Sequence, residues 1–389
     1  MMQLIDAFKE AGYRITFASA AAKSPYTADL NELGIEQKEI ELNSSSFDQF
    51  ISDLNPALVL FDRFMTEEQF GWRVAEQCPG AIRILDTEDL HCLRYGRQQA
   101  LKEERKFTKS DLFTDLAKRE IASVYRSDLS LIISEKEIVF LREVFRVNEN
   151  LLCYLPFMFE PLSDSEIKNW PGFSERIHFM TIGNFLHEPN RDSALWLKKV
   201  IWPLIRKELP EAEMHIYGAY PSQQIEQLHK PEDGFIVKGR AESSAEVIRS
   251  ARVLLSPLRF GAGLKGKLAE AMRCGTPSVT TPIGAEGMSE VSDWPGFVVN
   301  EPESIADAAI ELYTGQDTWV AAQKRGVEII NKLYPADKLK KELIARVDEI
   351  RNDIESHRQN NFTGAMLMHH SMNSVKFMSK WIEQKNRGS

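Results

Sequence analysis

Apolar residues recur along the chain in short bursts, separated by polar stretches of helical period. Near the start, Leu4, Ile5 and Phe8 share one helical face and Gly12 ends it. Residues 15–20, ITFASA, then read as a strand. Further apolar runs at 58–61, 82–85 and 129–133 also read as strands, with helical patterns between them at 67–77 and 114–125. Strands that alternate with helices pair in parallel, which predicts an α/β sheet. Residues 155–174 hold three prolines and a glycine among polar residues and read as a linker. Beyond them the alternation restarts, with strands expected at 178–182, 213–217, 235–238, 253–256 and 278–281. Between the first two, Ala194, Leu197, Ile201, Leu204 and Ile205 form one face of a helix. The pattern predicts two doubly wound domains, 1–155 and 176–335, joined by a linker at 156–175. A charged helix over 336–355 and a tail complete the 336–389 segment. The tail sets Met366, Leu367, Met368, Val375, Phe377, Met378 and Trp381 on a polar background, and its pattern allows either packing on the body or mobility.

Composition narrows the function. At 389 residues and 43% hydrophobic content, both domains can bury a core. A net charge of −9 disfavours nucleic acid as the main ligand, since polyphosphate binding needs a basic face. Cys78, Cys92, Cys153 and Cys274 are scattered, with no C-x-x-C pair and no metal-ligand spacing. They read as reduced thiols of a cytoplasmic protein. Cys92 follows His91 directly, and adjacent side chains diverge, so the two do not form a nucleophile pair. The opening residues lack the apolar core of a signal peptide, and no run approaches the roughly 20 apolar residues of a membrane span. Peripheral contact with a membrane stays open.

Chemistry concentrates in residues 255–290, LSPLRFGAGLKGKLAEAMRCGTPSVTTPIGAEGMSE. They read as strand, glycine-rich turn, helix, glycine stop, strand and second glycine-rich turn. Gly261, Gly263 and Gly266 let backbone amides approach a ligand closely. The helix that begins near Gly266 offers free N–H groups and the positive end of its dipole to a phosphate. Lys265 and Lys267 stand at that same end, where cations are unfavourable unless an anion offsets them. Glu270, one turn from Lys267, suits a ribose diol; the two also suit an ordinary helical ion pair.

PLRFGAGLKGKLAEAM followed by GTPSVTTPIGAEGM resembles the donor-binding signature of retaining GT-B glycosyltransferases of the family 4 kind (glycosyl transferases group 1). IGNFLHEPNRDSALWLKKVIWPLIRKELPEAEMHIYG resembles the opening of the same C-terminal domain, so the likeness spans about 179–331. It implies the GT-B fold, two Rossmann-like domains facing a central cleft, and transfer of a sugar from a nucleotide-sugar donor with retention. On this likeness Lys265 contacts the donor diphosphate and Glu270 holds the ribose. Gly239 and Arg240, after a strand, lie around the base. Arg259 and the 284–287 turn with Glu286 border the sugar, and Gly183 opens the first loop. Gly261, Gly263 and Lys267 complete the donor set. Many members carry a further glutamate eight residues before the one matched by Glu270, whereas residues 257–269 here hold no acid.

The N-terminal half is then the acceptor side. ILDTEDLHCLR puts Asp86 and His91 at the carboxyl end of a strand, the edge where α/β sheets bind ligands. The family often has a cleft-facing histidine at this point, which implies a catalytic pair of His91 and Asp86. A histidine capping a helix is the plainer reading of His91. The chain contains no D-x-D string, so no metal and no cofactor are expected, the nucleotide sugar being substrate. The acceptor is open among glycan, lipid-linked sugar, protein and small molecule. A sugar-nucleotide epimerase on the same fold and a non-catalytic nucleotide-sugar-binding scaffold are the rival readings. A GT-B N-terminal domain ordinarily opens with a buried strand and a glycine-containing turn. This chain opens inside the helix that follows them, so the reading expects an upstream strand in a longer form.

Overall fold

The computed structural model describes residues 1–22 and 27–387, without the side chains of 291, 370–372 and 387. The chain forms two compact units. The first comprises Met1–Cys92, Phe113–Met158 and Asp337–Ser389, and the second Leu93–Leu112 and Phe159–Ala336. The chain passes between them at 158–159, inside the stretch that reads as a linker. The remainder of that stretch folds with the second unit, where Leu162 and Asn331 exchange hydrogen bonds of 2.8 and 3.3 Å.

In the first unit six short strands pair in parallel: β1 (Thr16–Ser19), β2 (Glu36–Glu39), β3 (Leu58–Asp62), β4 (Ile82–Asp86), β5 (Leu129–Ile132) and β6 (Leu152–Tyr154). They form two sheets, β1-β2 and β3-β4-β5-β6. The helix Met2–Glu10 precedes β1, and its Ile5 packs with Leu30 and Ile35. β5 is buried along its length, as parallel strands covered on both faces are. The helices Arg63–Gln77 and Asp115–Arg126 pack together beside this sheet. A buried ion pair joins them, Arg126 to Glu67 at 2.5–3.1 Å. The tail forms a long helix, Phe362–Arg387, that lies against both. Arg73 fixes it by donating to the buried Ser379 hydroxyl at 3.0 Å.

The second unit holds β7 (Ile177–Ile182), β8 (Met214–Tyr217), β9 (Phe235–Gly239), β10 (Ala251–Ser256), β11 (Ser278–Thr280) and β12 (Gly296–Val298). All neighbours are parallel, in the order β12-β11-β10-β7-β8-β9. Counted along this unit that is 6-5-4-1-2-3, the dinucleotide-binding order. Phe179, Met214, Ile216, Val253, Leu255 and Val279 face one core with Leu197, Ile201, Trp202 and Ile205 from the covering helix. That helix is not uniform: Leu197–Ile201 is a π-helical turn between Glu188–Trp196 and Trp202–Glu208. Pro203 lacks a donor and crowds the carbonyl four residues back, so the chain widens there. The strand order reverses between β7 and β10, which makes their carboxyl ends a topological switch point.

Candidate donor and catalytic residues

The loops that leave β7 and β10 flank the switch point of the second unit. After β7, Gly183 donates its N–H to the carbonyl of Tyr217 at 3.1 Å. A Cβ at Gly183 would meet the Asn190 amide at 2.6 Å, and one at Gly218 would meet the Gly183 carbonyl at 2.1 Å. Only glycine at 218 lets its backbone come so close to the Gly183 carbonyl. After β10, Gly261 and Gly263 take φ of 159° and 63°, and the chain turns into the helix Gly266–Arg273 with Lys265 at its N-cap.

The two lysines of this turn behave differently. Lys265 is buried and folds back on its own loop, donating to the carbonyls of Ala262 and Gly263 at 3.2 and 2.6 Å. Lys267 donates to Asn190 Oδ1 at 2.7 Å, which ties the helix Gly266–Arg273 to the helix Glu188–Trp196. The residue is partly exposed, and desolvation pushes its pKa down to about 7. Glu270 faces away from Lys267 and accepts the hydroxyl proton of Ser244, the first residue of the helix that follows β9. The ion pair that the i, i+3 spacing allowed therefore gives way to Asn190 for the lysine and Ser244 for the glutamate.

Arg259 pairs with Asp192 and lies 5.4 Å from the ring centre of Trp196, so it braces the loop against the helix Glu188–Trp196. Gly239 ends β9 at φ 72°, accepts the Gly218 N–H at 2.8 Å, and Arg240 follows it on the surface. In the second glycine turn, the Thr281 side chain caps the short helix Pro282–Ala285, and Glu286 stands just past it. Glu286 is held by Arg97, through two hydrogen bonds of 2.8 Å each. Arg97 also donates to the Gly261 carbonyl at 2.8 Å and lies over Phe107. It belongs to the Leu93–Leu112 segment, which folds with this unit although it comes from the N-terminal half of the sequence. One guanidinium thus joins both glycine turns.

In the first unit, Asp86 and His91 flank the turn after β4. Asp86 pairs in register with Asp62 at the end of β3. Each strand is followed by a non-glycine residue in the left-handed region, Arg63 at φ 66° and Glu88 at φ 61°. Asp86 is buried, and desolvation, with Glu88 and Asp62 adding repulsion, pushes its pKa up to about 6. His91 opens the helix His91–Lys102, with its Nε2 3.4 Å from Asp89 and its ring edge-on to Phe64 at 5.4 Å. The helix start is capped by other residues. Glu137 accepts the Leu90 N–H at 2.9 Å, and Glu120 accepts those of His91 and Cys92 at 2.8 and 2.9 Å. Burial pushes Glu120 up to about 7.

Residues 176–315 match the model of the family glycosyl transferases group 1. This stretch is similar to the glycosyl transferases group 1. No curated protein matches the chain in sequence. Similar solved structures share the GT-B fold. Sucrose-phosphate synthase of Thermosynechococcus elongatus is 17% identical at a TM-score of 0.67, over 90% of this chain and 92% of that one. HepE of Anabaena, solved with UDP-glucose, is 12% identical at 0.66, over 90% and 95%. TarM of S. aureus, solved with UDP and α-GlcNAc-glycerol, is 14% identical at 0.61, over 77% of this chain. The chain spans 57% of TarM's length. With parallel sheets in both units, the chain has the GT-B fold.

Gly183, Gly239, Arg240, Arg259, Gly261, Gly263, Lys265, Lys267, Glu270 and Glu286 all lie in the second unit, on or beside the loops at the carboxyl ends of its strands. Asp86 and His91 lie in the first. Sequence reasoning missed Asn190 as the partner of Lys267, Ser244 as that of Glu270, and Arg97 as that of Glu286. It also missed Glu120 and Glu137 as helix caps. Each comes from a different element, between 26 and 189 residues away. The uncompensated pair of lysines at a helix start was the one signal in the sequence that something nearby must answer them.

Proposed function

We propose that this chain transfers a sugar from a nucleotide-sugar donor, held at the switch point of the second unit, to an acceptor served by the first. The observation that carries the reading is Lys267. Its ammonium, held by the Asn190 amide at a helix start beside a glycine turn, is completed by an arriving diphosphate. Glu270 takes the ribose, exchanging the Ser244 hydroxyl for a sugar diol. Gly239 and Arg240 border the base. Lys265 leaves its loop carbonyls for the diphosphate, and Arg259 stays with Asp192 as a brace beside the sugar. Glu286 supplies the acid that residues 257–269 lack, with Arg97 fixing its orientation next to Gly261.

As the glycosidic bond to the donor breaks, negative charge grows on the leaving diphosphate. On this reading Lys267, the incoming Lys265 and the helix amides meet that charge as it develops, which lowers the barrier. Transfer by this route needs no metal and no cofactor, and follows the retaining course that the family resemblance implies. Asp86 and His91 are the catalytic pair, orienting the acceptor or sugar and receiving its proton. UDP-sugars are the first donors to try, because HepE and TarM were solved with UDP-glucose and with UDP.

The experiment is a thermal-shift panel of nucleotide sugars, followed by turnover of the best donor with acceptors in the presence of EDTA and product analysis by NMR. The reading expects a stabilising donor, turnover that survives EDTA, and a product with the donor's anomeric configuration. Turnover abolished by EDTA and restored by manganese or magnesium contradicts the metal-free route. An isomerised sugar nucleotide without a transfer product makes the protein an epimerase. Donor binding without turnover makes it a scaffold.

A further inference from the structure

The outer face of the helix Phe362–Arg387 carries five large apolar side chains, Phe362, Met366, Phe377, Met378 and Trp381, each 48–71% exposed. At 3.6 residues per turn, Phe362, Met366, Phe377 and Trp381 fall within about 100° of its circumference, and Met378 lies about 60° further round. Lys380 and Lys385 stand at the two margins of this arc, and Lys385 lies 5.4 Å from the Trp381 ring centre. The inner face is anchored to the first unit. Arg73 bonds Ser379, Lys376 bonds Glu76 at 2.5 Å, and Glu383 accepts from Ser45 at 2.6 and 3.1 Å. The helix is therefore pinned with its apolar side turned outward. Other exposed apolar residues of the chain, such as Phe113, Ile177 and Leu186, are scattered.

Charge points to the occupant. Residues 362–389 hold Lys376, Lys380, Lys385 and Arg387 against a single acid, Glu383, while the whole chain carries −9. A second copy of the helix would set lysine margins against lysine margins, and its one acid is already turned toward Ser45 of its own chain. An anionic lipid surface meets both features at once. The aromatic and methionine side chains enter the boundary between headgroups and acyl chains, and the flanking lysines reach the phosphates. We infer that this helix is a membrane-surface anchor, docking the protein on anionic bilayers through Phe362, Met366, Phe377, Met378 and Trp381. The inference is independent of the donor site.

Co-sedimentation of the full chain with vesicles tests it. The wild type is expected to pellet with vesicles of equal phosphatidylglycerol and phosphatidylcholine, to bind phosphatidylcholine vesicles far less, and to be released in part by high salt. Two double variants alter only exposed side chains: Phe377→Ser with Trp381→Ser, and Lys380→Glu with Lys385→Glu. Each should weaken partitioning on the order of tenfold or more while the melting temperature stays near wild type. A wild type that remains in the supernatant with both vesicles overturns the inference, as do variants that bind as the wild type does. A wild-type dimer in sedimentation, split by the Phe377→Ser, Trp381→Ser pair and blind to vesicles, makes the face an interface between copies instead.

Discussion

At the residue scale, Asp86 and Lys267 are both held against their own charge. Burial raises Asp86 to about 6, so the folded protein prefers its protonated form. The unfolded chain gives up that proton near pH 3.9. Its contribution to stability is thus present below the unfolded value and lost as pH rises through about 6. At pH 7.5 the ionised carboxylate destabilises the fold by on the order of 2 kcal/mol. Asp86→Asn should therefore raise the melting temperature at pH 7.5 by several degrees, leave it unchanged near pH 4, and reduce turnover strongly. A variant less stable than the wild type at pH 7.5 would show that the ionised carboxylate is compensated. Lys267 is the opposite case. With its pKa near 7, it is mostly neutral at pH 8.5 and mostly charged at pH 6. A diphosphate favours the charged form, so nucleotide affinity should fall as pH rises from 6 to 8.5, with a proton taken up on binding at the higher pH. Calorimetry in buffers of different ionisation enthalpy reads that proton. Lys267→Ala should flatten the dependence.

At the scale of elements, the glycine turns depend on a helix from elsewhere in the chain, His91–Lys102. Arg97 binds the Glu286 carboxylate with two parallel N–H donors and gives a third bond to Gly261, a geometry that a lysine ammonium does not reproduce. Arg97→Lys and Arg97→Ala should both weaken donor binding about tenfold, a loss of the size expected when a charge-assisted bond goes. Thermal shift with the best nucleotide sugar measures this. Equal donor response in Arg97→Lys and wild type would mean that Glu286 keeps its position unaided. The strands and helices that build the turns were legible from periodicity, because each buries its own local pattern: β7, β8, β9 and β10 lie within one or two residues of their sequence-based positions. β12 was not, being three half-buried residues with a glycine. The partners Arg97, Asn190, Ser244 and Glu120 were not legible either. A hydrogen bond between side chains on different elements leaves no period in the sequence.

At the scale of the whole molecule, the GT-B fold and the likeness to glycosyl transferases group 1 were readable from residues 255–290 together with the alternation of strand and helix. The division of the chain was harder to read. Segment Leu93–Leu112 folds with the second unit and Asp337–Ser389 with the first, because burial decides membership and sequence order does not. The 336–389 segment illustrates this. Its apolar beads divide into residues that pack inward, such as Leu339 and Leu343 and the half-buried Met368, and residues that stay outside, such as Phe377 and Trp381. Hydrophobicity alone does not separate those two sets; the side of the helix on which each residue falls does. Among the described residues no helix is long and apolar enough to cross a membrane.

The central claim is that a nucleotide-sugar donor binds at the switch point of the second unit. Calorimetric titration of nucleoside diphosphates into the wild type, Lys267→Ala and Glu270→Ala tests it most directly. Both side chains are partly exposed, so both variants should keep the wild-type melting temperature within a few degrees. The account predicts that at least one nucleotide binds the wild type and that each variant loses on the order of 1.5–3 kcal/mol of that affinity, roughly tenfold or more. A wild type that binds none of the nucleotides, or variants that bind as tightly as the wild type, would contradict it.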